Sequence, residues 1–267
     1  MHAYVINLAR SLDRRAHITA ELKKVGLHYE IVTAVDGQDL DLNDTAVIDP
    51  SFHRIALTAG SAGARLSHLS VYKKIIEDGL DKALVLEDDV VLPHDLANLV
   101  ESVARHLSGA EVALLSVDSP TACKLSVEGS APLPAGRVLA LPIDIRQPRS
   151  AGAYVITREA CERMVKGSLP IRIQADMWWD FYREGMIDRV RCVVPLPVHK
   201  NAKLASTIGS YSLGNGIRAR LVRPLVRGNV PVLSQLLAYR RQRIYRQWSQ
   251  FELVEDPFVE KPSRLED

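Results

Sequence analysis

Along residues 1–200, short apolar runs alternate with stretches whose apolar residues recur every three or four positions. Residues 4–8 (YVINL) are short and β-branched and predict a strand. Ser11 then offers an N-cap and Asp13 an acidic first turn for a helix reaching about Lys24, with Gly26 as its stop. Residues 29–34 (YEIVTA) predict a second strand, closed by the turn Asp36-Gly37. Residues 38–61 are less periodic and predict a loop with short helical pieces. Over residues 61–78, Leu66, Leu69, Tyr72, Ile75 and Ile76 keep helical spacing, and Gly79 ends the helix. Residues 83–86 form a continuous apolar run of the buried-strand type, residues 95–106 a helix, and residues 112–117 another strand. Residues 118–149 mix Pro, Gly and Ser around an apolar piece at 138–141, which predicts loops with room for a hairpin. A strand at 153–156, a helix at 158–166 capped by Thr157, a helix at 175–183 and a strand at 189–194 complete the series.

Strands and helices in alternation predict an α/β fold with a mainly parallel sheet flanked by helices. After Ser206 the pattern changes, so residues 1–208 read as one α/β domain and residues 209–267 as a basic extension. In that extension, residues 230–250 predict a helix with Leu233, Leu236, Leu237, Ile244 and Trp248 among Arg240, Arg241, Arg243 and Arg246. The last ten or so residues, rich in charge and Pro, predict a mobile end.

Charge sharpens this division. From Arg189 through Phe251 there is no acid but twelve basic residues, leaving 22 basic against 32 acidic residues elsewhere, a net of −10. A basic segment on an acidic body predicts an anionic partner for that segment, with a membrane surface, a phosphorylated acceptor and nucleic acid as candidates. No run of about 18 apolar residues could span a bilayer, and the opening MHAYVINLAR enters a strand pattern without a signal-peptide core. Cys123, Cys161 and Cys192 are odd in number and widely spaced, so the expectation is reduced, packed thiols in a cytoplasmic protein.

The chemistry concentrates where residues 83–92 (ALVLEDDVVL) place Glu87, Asp88 and Asp89 at the end of an apolar strand. Ligands of open α/β sheets gather at such ends, and hard divalent cations seek carboxylate oxygens. Alternatively, the acids are a solvated strand end. Asp36-Gly37 follows a strand in the same way, and Arg10, Arg14 and Arg15 follow the first strand, where they pair with phosphate or with surface acids. Ser61, Arg65, His68 and Tyr72 share one helix face. His199 follows the last strand in VVPLPVHKN, and imidazole suits Mn²⁺ beside carboxylates. In DMWWDFY, Trp178 and Trp179 point about 100° apart on a helix, so one indole can enter the core while the other faces a cleft. The cleft-facing ring would stack on a sugar, with Asp176 or Asp180 nearby as a general base.

The ordered set INLARSLDRR, AVDG, Ser67-His68, LEDDV, AGAYVIT, Asp176 and PLPV with a downstream Ser-x-Ile resembles glycosyltransferase family 25 over about residues 1–208. The resemblance implies a GT-A-like fold, a UDP-sugar donor, Mn²⁺ or Mg²⁺, and transfer with inversion. On that pattern Asp89 is the direct metal ligand, with Glu87 and His199 assisting, and Asp88 reaches the ribose or donor sugar. Asn7 with Ala34, Asp36 and Gly37 lines the uridine pocket. Arg10 and Arg14 face the donor, and Ser67 and His68 approach its phosphates. Asp176 is the base, and Trp178, Trp179 and Asp180 meet the acceptor. Two departures stand near the donor site: AGSAGAR (residues 59–65) replaces a Gly-Glu-x-Gly-Cys stretch, and His199 replaces a Gln.

The implied reaction moves galactose or a related hexose to a lipooligosaccharide, lipopolysaccharide or other surface glycan. No nucleic acid is expected, and the enzyme would work in the cytoplasm, docked peripherally on the inner face of the membrane. Two alternatives remain open at this level. One is a metal-dependent nucleotidyl- or phosphotransferase, although no Walker-type Gly-Lys loop is present. The other is a non-catalytic module that binds an anionic polymer or a membrane through the Arg-rich tail.

Overall fold

The computed structural model describes residues 1–55, 58–117, 123–201, 204 and 251–255. The basic helix expected over 230–250 and the Ser206–Ile208 stretch lie outside the described residues. The chain begins with β1 (His2–Asn7), α1 (Leu12–Val25) and β2 (His28–Thr33), followed by α2 (Ala59–Glu77) and β3 (Lys82–Glu87). Next come β4 (Val90–Val91), α3 (Leu96–Arg105), β5 (Glu111–Leu114), β6 (Cys123–Ser126), β7 (Ala131–Leu133) and β8 (Arg137–Ala140). The remainder is β9 (Ala153–Thr157), α4 (Arg158–Gly167), α5 (Trp178–Arg183), β10 (Arg189–Val194), β11 (His199–Lys200) and β12 (Phe251–Val254).

Eight strands form one sheet in the order β2-β1-β3-β9-β5-β10-β8-β7. Both faces are covered at the central strands β1, β3, β5 and β9, which are almost wholly buried, and their neighbouring residues serve opposite layers. Tyr4, Val85, Val112 and Tyr154 pack with Leu69, Tyr72 and Ile75 of α2 and with Cys161 and Met164 of α4. Val5, Leu84, Leu86 and Val155 pack on the other side with Ile18 and Leu22 of α1 and Leu99 and Val103 of α3. The α/β class and its flanking helices match the sequence reading.

The proportion of parallel pairing does not. Only β1–β2, β1–β3 and β5–β10 are parallel in the large sheet. β9 runs antiparallel to both neighbours, β3 and β5. Parallel neighbours need a crossover of a dozen or more residues, usually a helix. Between β5 and β9 the described residues form no α-helix, only strands, loops and one 3-10 turn (Pro134–Gly136) in the antiparallel β7–β8 hairpin. Two further differences bear on the site. The helix expected from residue 175 starts at Trp178, with Met177 as its non-helical N-cap, so Asp176 precedes the helix. In addition, β12, from beyond residue 208, pairs parallel with β6, so part of the extension is joined to the body.

Candidate active site

Glu87 ends β3, and Asp88 and Asp89 form the turn into β4. The question posed by three acids after a buried strand is what compensates them. Each acid has its own answer. Asp88 is almost fully buried, and both its oxygens are engaged: Asn7 Nδ2 donates to Oδ2 at 2.7 Å, and Arg14 Nη1 lies 2.6 Å from Oδ1. The second arm of the Arg14 fork reaches Asp89 Oδ2 at 2.5 Å. Asp89 Oδ1 is buried without a partner among the described residues, and so is Arg14 Nε. Glu87 faces the other way, with His68 Nε2 at 3.7 Å and Lys200 Nζ at 3.8 Å.

The protonation pattern follows this division. Burial works to raise the Glu87 carboxyl, but Lys200, His68 and Arg14 outweigh it and hold it down at about 2. Asp88 and Asp89 are pushed up: burial is the largest cause for both, neighbouring acids add to it, and Arg14 opposes it.

Several segments build this corner. β4 and β11 form a two-stranded ribbon with Lys200 opposite Val90 and His199 opposite Val91, and Asn201 N donates to Asp89 O at 2.6 Å. Adjacent strand residues point to opposite sides. Lys200 therefore turns to the acids while His199 is exposed. Gly152 O accepts from Glu87 N at 2.8 Å, and a Cβ on Gly152 would come within 3.5 Å of Lys200 Cε. Next to it Ser150 is held at φ 100°, a strained conformation for a residue with a side chain, and its carbonyl accepts from Trp178 Nε1 at 2.9 Å. Asp176 is close enough for the charges of Arg149, Lys200 and Glu87 to act on it. Burial raises its carboxyl, Arg149 and Lys200 oppose, and Glu87 adds.

Behind the acids runs a buried hydrogen-bonded chain. His68 Nδ1 lies 2.7 Å from Tyr154 Oη, which lies 2.9 Å from Tyr72 Oη. The AVDG turn packs against the start of α2 with no space between. A Cβ on Gly37 would meet Ala59 O at 1.9 Å, and one on Gly63 would meet Gly37 N at 2.7 Å. Ala34 N donates to Asn7 O at 2.9 Å, which ties this turn to β1.

The structure thus brings together Asn7, Arg14, His68, Glu87, Asp88 and Asp89, with Asp176 within electrostatic reach of Glu87, but alters several expected roles. Ser67 is buried and occupied: its hydroxyl donates to Gly63 O at 2.7 Å and accepts from Val35 N at 2.8 Å, so it fixes the turn instead of facing a ligand. Arg10 pairs with Asp36. Arg14 holds the acids, and Asp88 has no free oxygen. Trp178 is fully buried between Tyr154 and Phe181, at ring distances of 5.2 and 6.0 Å, and is a core residue. Its neighbour Trp179 is the partly exposed indole, stacked on Tyr182 at 5.8 Å, and Asp180 pairs with Arg183 at 3.0 Å.

No three His, Cys, Asp or Glu side chains converge as an ion cage among the described residues, so Glu87, Asp89 and His199 do not assemble as a metal trio. What fits a divalent ion is the unpartnered Oδ1 of Asp89, because Mg²⁺-type sites commonly use one or two carboxylates and complete their shell with substrate phosphates and water. Lys200 is the charged side chain of this corner that sequence reasoning missed. Its signal was the strand period in VHKN, which sets His199 and Lys200 on opposite sides.

Comparison with known proteins bears on this corner, because the matched segment contains the acids, Asn7, Arg14 and His68. Residues 1–123 match glycosyltransferase family 25 (LPS biosynthesis protein). Relatives include procollagen galactosyltransferase 2 of Homo sapiens, 33% identical over 118 residues that cover 41% of this chain and 19% of that protein. The inactive glycosyltransferase 25 family member 3 of Homo sapiens is 38% identical over 98 residues, covering 33% of this chain and 16% of that protein. The matched stretch therefore spans about a fifth or less of the length of these relatives. Among solved structures, a putative glucose-1-phosphate thymidylyltransferase from Bacillus anthracis aligns over 72% of this chain and 86% of its own, with 13% identity and a TM-score of 0.40.

Proposed function

We propose that this chain transfers a hexose from a UDP-sugar to a glycan hydroxyl, with inversion at the anomeric carbon. The observation that carries the reading is the buried acidic corner at the carboxyl end of β3, in the family-matched segment, compensated by Arg14, His68 and Lys200 and joined by Asp176. Three cationic or proton-bearing side chains converging on one strand end suit a diphosphate better than they suit a solvated turn.

In this reading the donor's uridine lies against the turn containing Asp36 and Gly37. Lys200 and Arg14 exchange part of their pairing with the acids for the donor phosphates, which neutralises charge as the sugar–phosphate bond breaks. A divalent ion, Mn²⁺ or Mg²⁺, held at Asp89 Oδ1 would add Lewis-acid stabilisation of the leaving diphosphate. Asp176 accepts the proton of the acceptor hydroxyl as its oxygen bonds to the anomeric carbon. Its raised carboxyl affinity for protons favours that role. Trp179 is the indole available to the acceptor.

The acceptor class, a lipooligosaccharide or lipopolysaccharide, and peripheral attachment to the cytoplasmic leaflet rest on the family resemblance and on the acid-free segment after Arg189. Asp176→Asn tests the mechanism. Turnover should fall by roughly 10²–10⁴-fold with donor affinity retained, measured as UDP release. Near-normal turnover would remove Asp176 as the base.

A further inference from the structure

A second cationic feature lies apart from the acids. Arg65, on α2, is among the largest fully buried side chains, at 1% exposure. Its Nη2 donates to Ser168 Oγ, while Nη1 has no hydrogen-bond partner and no carboxylate pairs with it among the described residues. The ring faces of Phe181 and Tyr72 lie 4.6 and 5.9 Å from Cζ. Cation–π contact offsets only part of the loss of water around a buried charge, and buried charges are ordinarily paired.

Arg65 packs against Ser168, Arg172, Phe181 and Met186 in a seam too tight to admit a water molecule. Gly167, Arg172 and Met186 also line an open cleft of about 620 Å³, shared with Arg163, Lys166 and Glu184. That volume is in the range of small-molecule sites. Two of the cleft's cations are already matched: Arg163 by Glu159 and by Asp188 at 2.7 Å, and Arg172 by Glu184 at 3.2 Å from its Nε. Lys166 and Arg65 have no ion pair among the described residues, and with Glu159, Asp188 and Glu184 set against all four cations one positive charge is left in excess. The wall between them is a thioether: Met186 packs so closely on Gly167 that a Cβ there would meet Met186 Cε at 2.7 Å. Methionine is the apolar side chain that repacks most readily.

We propose that this cleft binds a phosphoryl group, with Lys166 and Arg172 at its mouth and Arg65 as the buried anchor reached when the Met186 side chain swings aside. The two cations without an ion pair favour an anion, and a guanidinium presents paired donors to phosphate oxygens. The site does not depend on the transferase reading. Free phosphate and a phosphorylated sugar share this chemistry, and the test separates them.

The full chain is titrated calorimetrically with inorganic phosphate and with glucose 6-phosphate at constant ionic strength. Wild type should bind at least one of them saturably. Tighter binding of the sugar phosphate points to a phosphorylated glycan, and equal binding points to free phosphate. Arg65→Met, which replaces a buried charge by an apolar side chain of similar length and should therefore fold, is expected to weaken binding at least tenfold. Lys166→Glu, an exposed change, should do the same without touching the core. Lys124→Ala, an exposed change on β6, should leave the affinity unchanged. Absence of saturable binding to wild type, wild-type affinity in Lys166→Glu or in folded Arg65→Met, or loss of binding in Lys124→Ala would each overturn the assignment.

Discussion

Single residues decide how the acidic corner works, and they were unevenly legible. The triplet announced itself because carboxylates after an apolar run need compensation, and Asn7, Arg14 and His68 all arrive beside it as the sequence suggested. What compensates each acid was not readable, because it depends on side-chain direction. Asp88 spends both oxygens on Asn7 and Arg14, so the free oxygen belongs to Asp89, and Lys200 takes the place expected of His199.

Glu87 gives a pH signature. Its carboxyl titrates at about 2 in the folded chain against an ordinary 4.5. A lowered acid contributes stability that is fully present above the unfolded value and is lost as pH falls through the folded one. Urea denaturation should therefore show Glu87→Gln less stable than wild type at pH 7, with the gap closing between pH 4.5 and 2. A gap independent of pH would mean that Lys200 and His68 do not hold this carboxylate.

At the scale of elements, periodicity recovered most of the strands and helices to within a few residues, since both sheet faces are buried and both periods are undisturbed. It could not give strand direction. β9 reads like any buried strand, and its antiparallel direction goes with a connection from β5 that has no α-helix among the described residues. Nor could it show that the AVDG turn and α2 touch backbone to backbone. That contact requires Gly63, where a Cβ would stand 2.7 Å from both Gly37 N and Val35 O. Gly63→Ala should cost about 1–3 kcal/mol of stability through overpacking and weaken UDP binding by displacing the turn. Unchanged stability in a denaturant titration would show that the contact is slack.

For the whole molecule, the charge division between an acidic body and a basic segment was plain in the sequence, while the return of residues 251–254 to pair with β6 was not. Replacing Arg240, Arg241, Arg243 and Arg246 with Gln keeps that strand and removes four charges, each worth about 1 kcal/mol at an anionic surface. Binding to vesicles rich in anionic lipid should drop steeply in this variant while transfer to a soluble acceptor persists. Retained vesicle binding would refute docking through this segment. The central claim, that the carboxyl end of β3 is a nucleotide-sugar site, is tested most directly by thermal shift with UDP, UDP-galactose, UDP-glucose and UDP-N-acetylglucosamine, with and without Mn²⁺, on wild type and Asp89→Asn. The assignment predicts a saturable rise in melting temperature for wild type with at least one UDP-sugar, lost in Asp89→Asn. No rise with any of them, or an equal rise in both proteins, would contradict it.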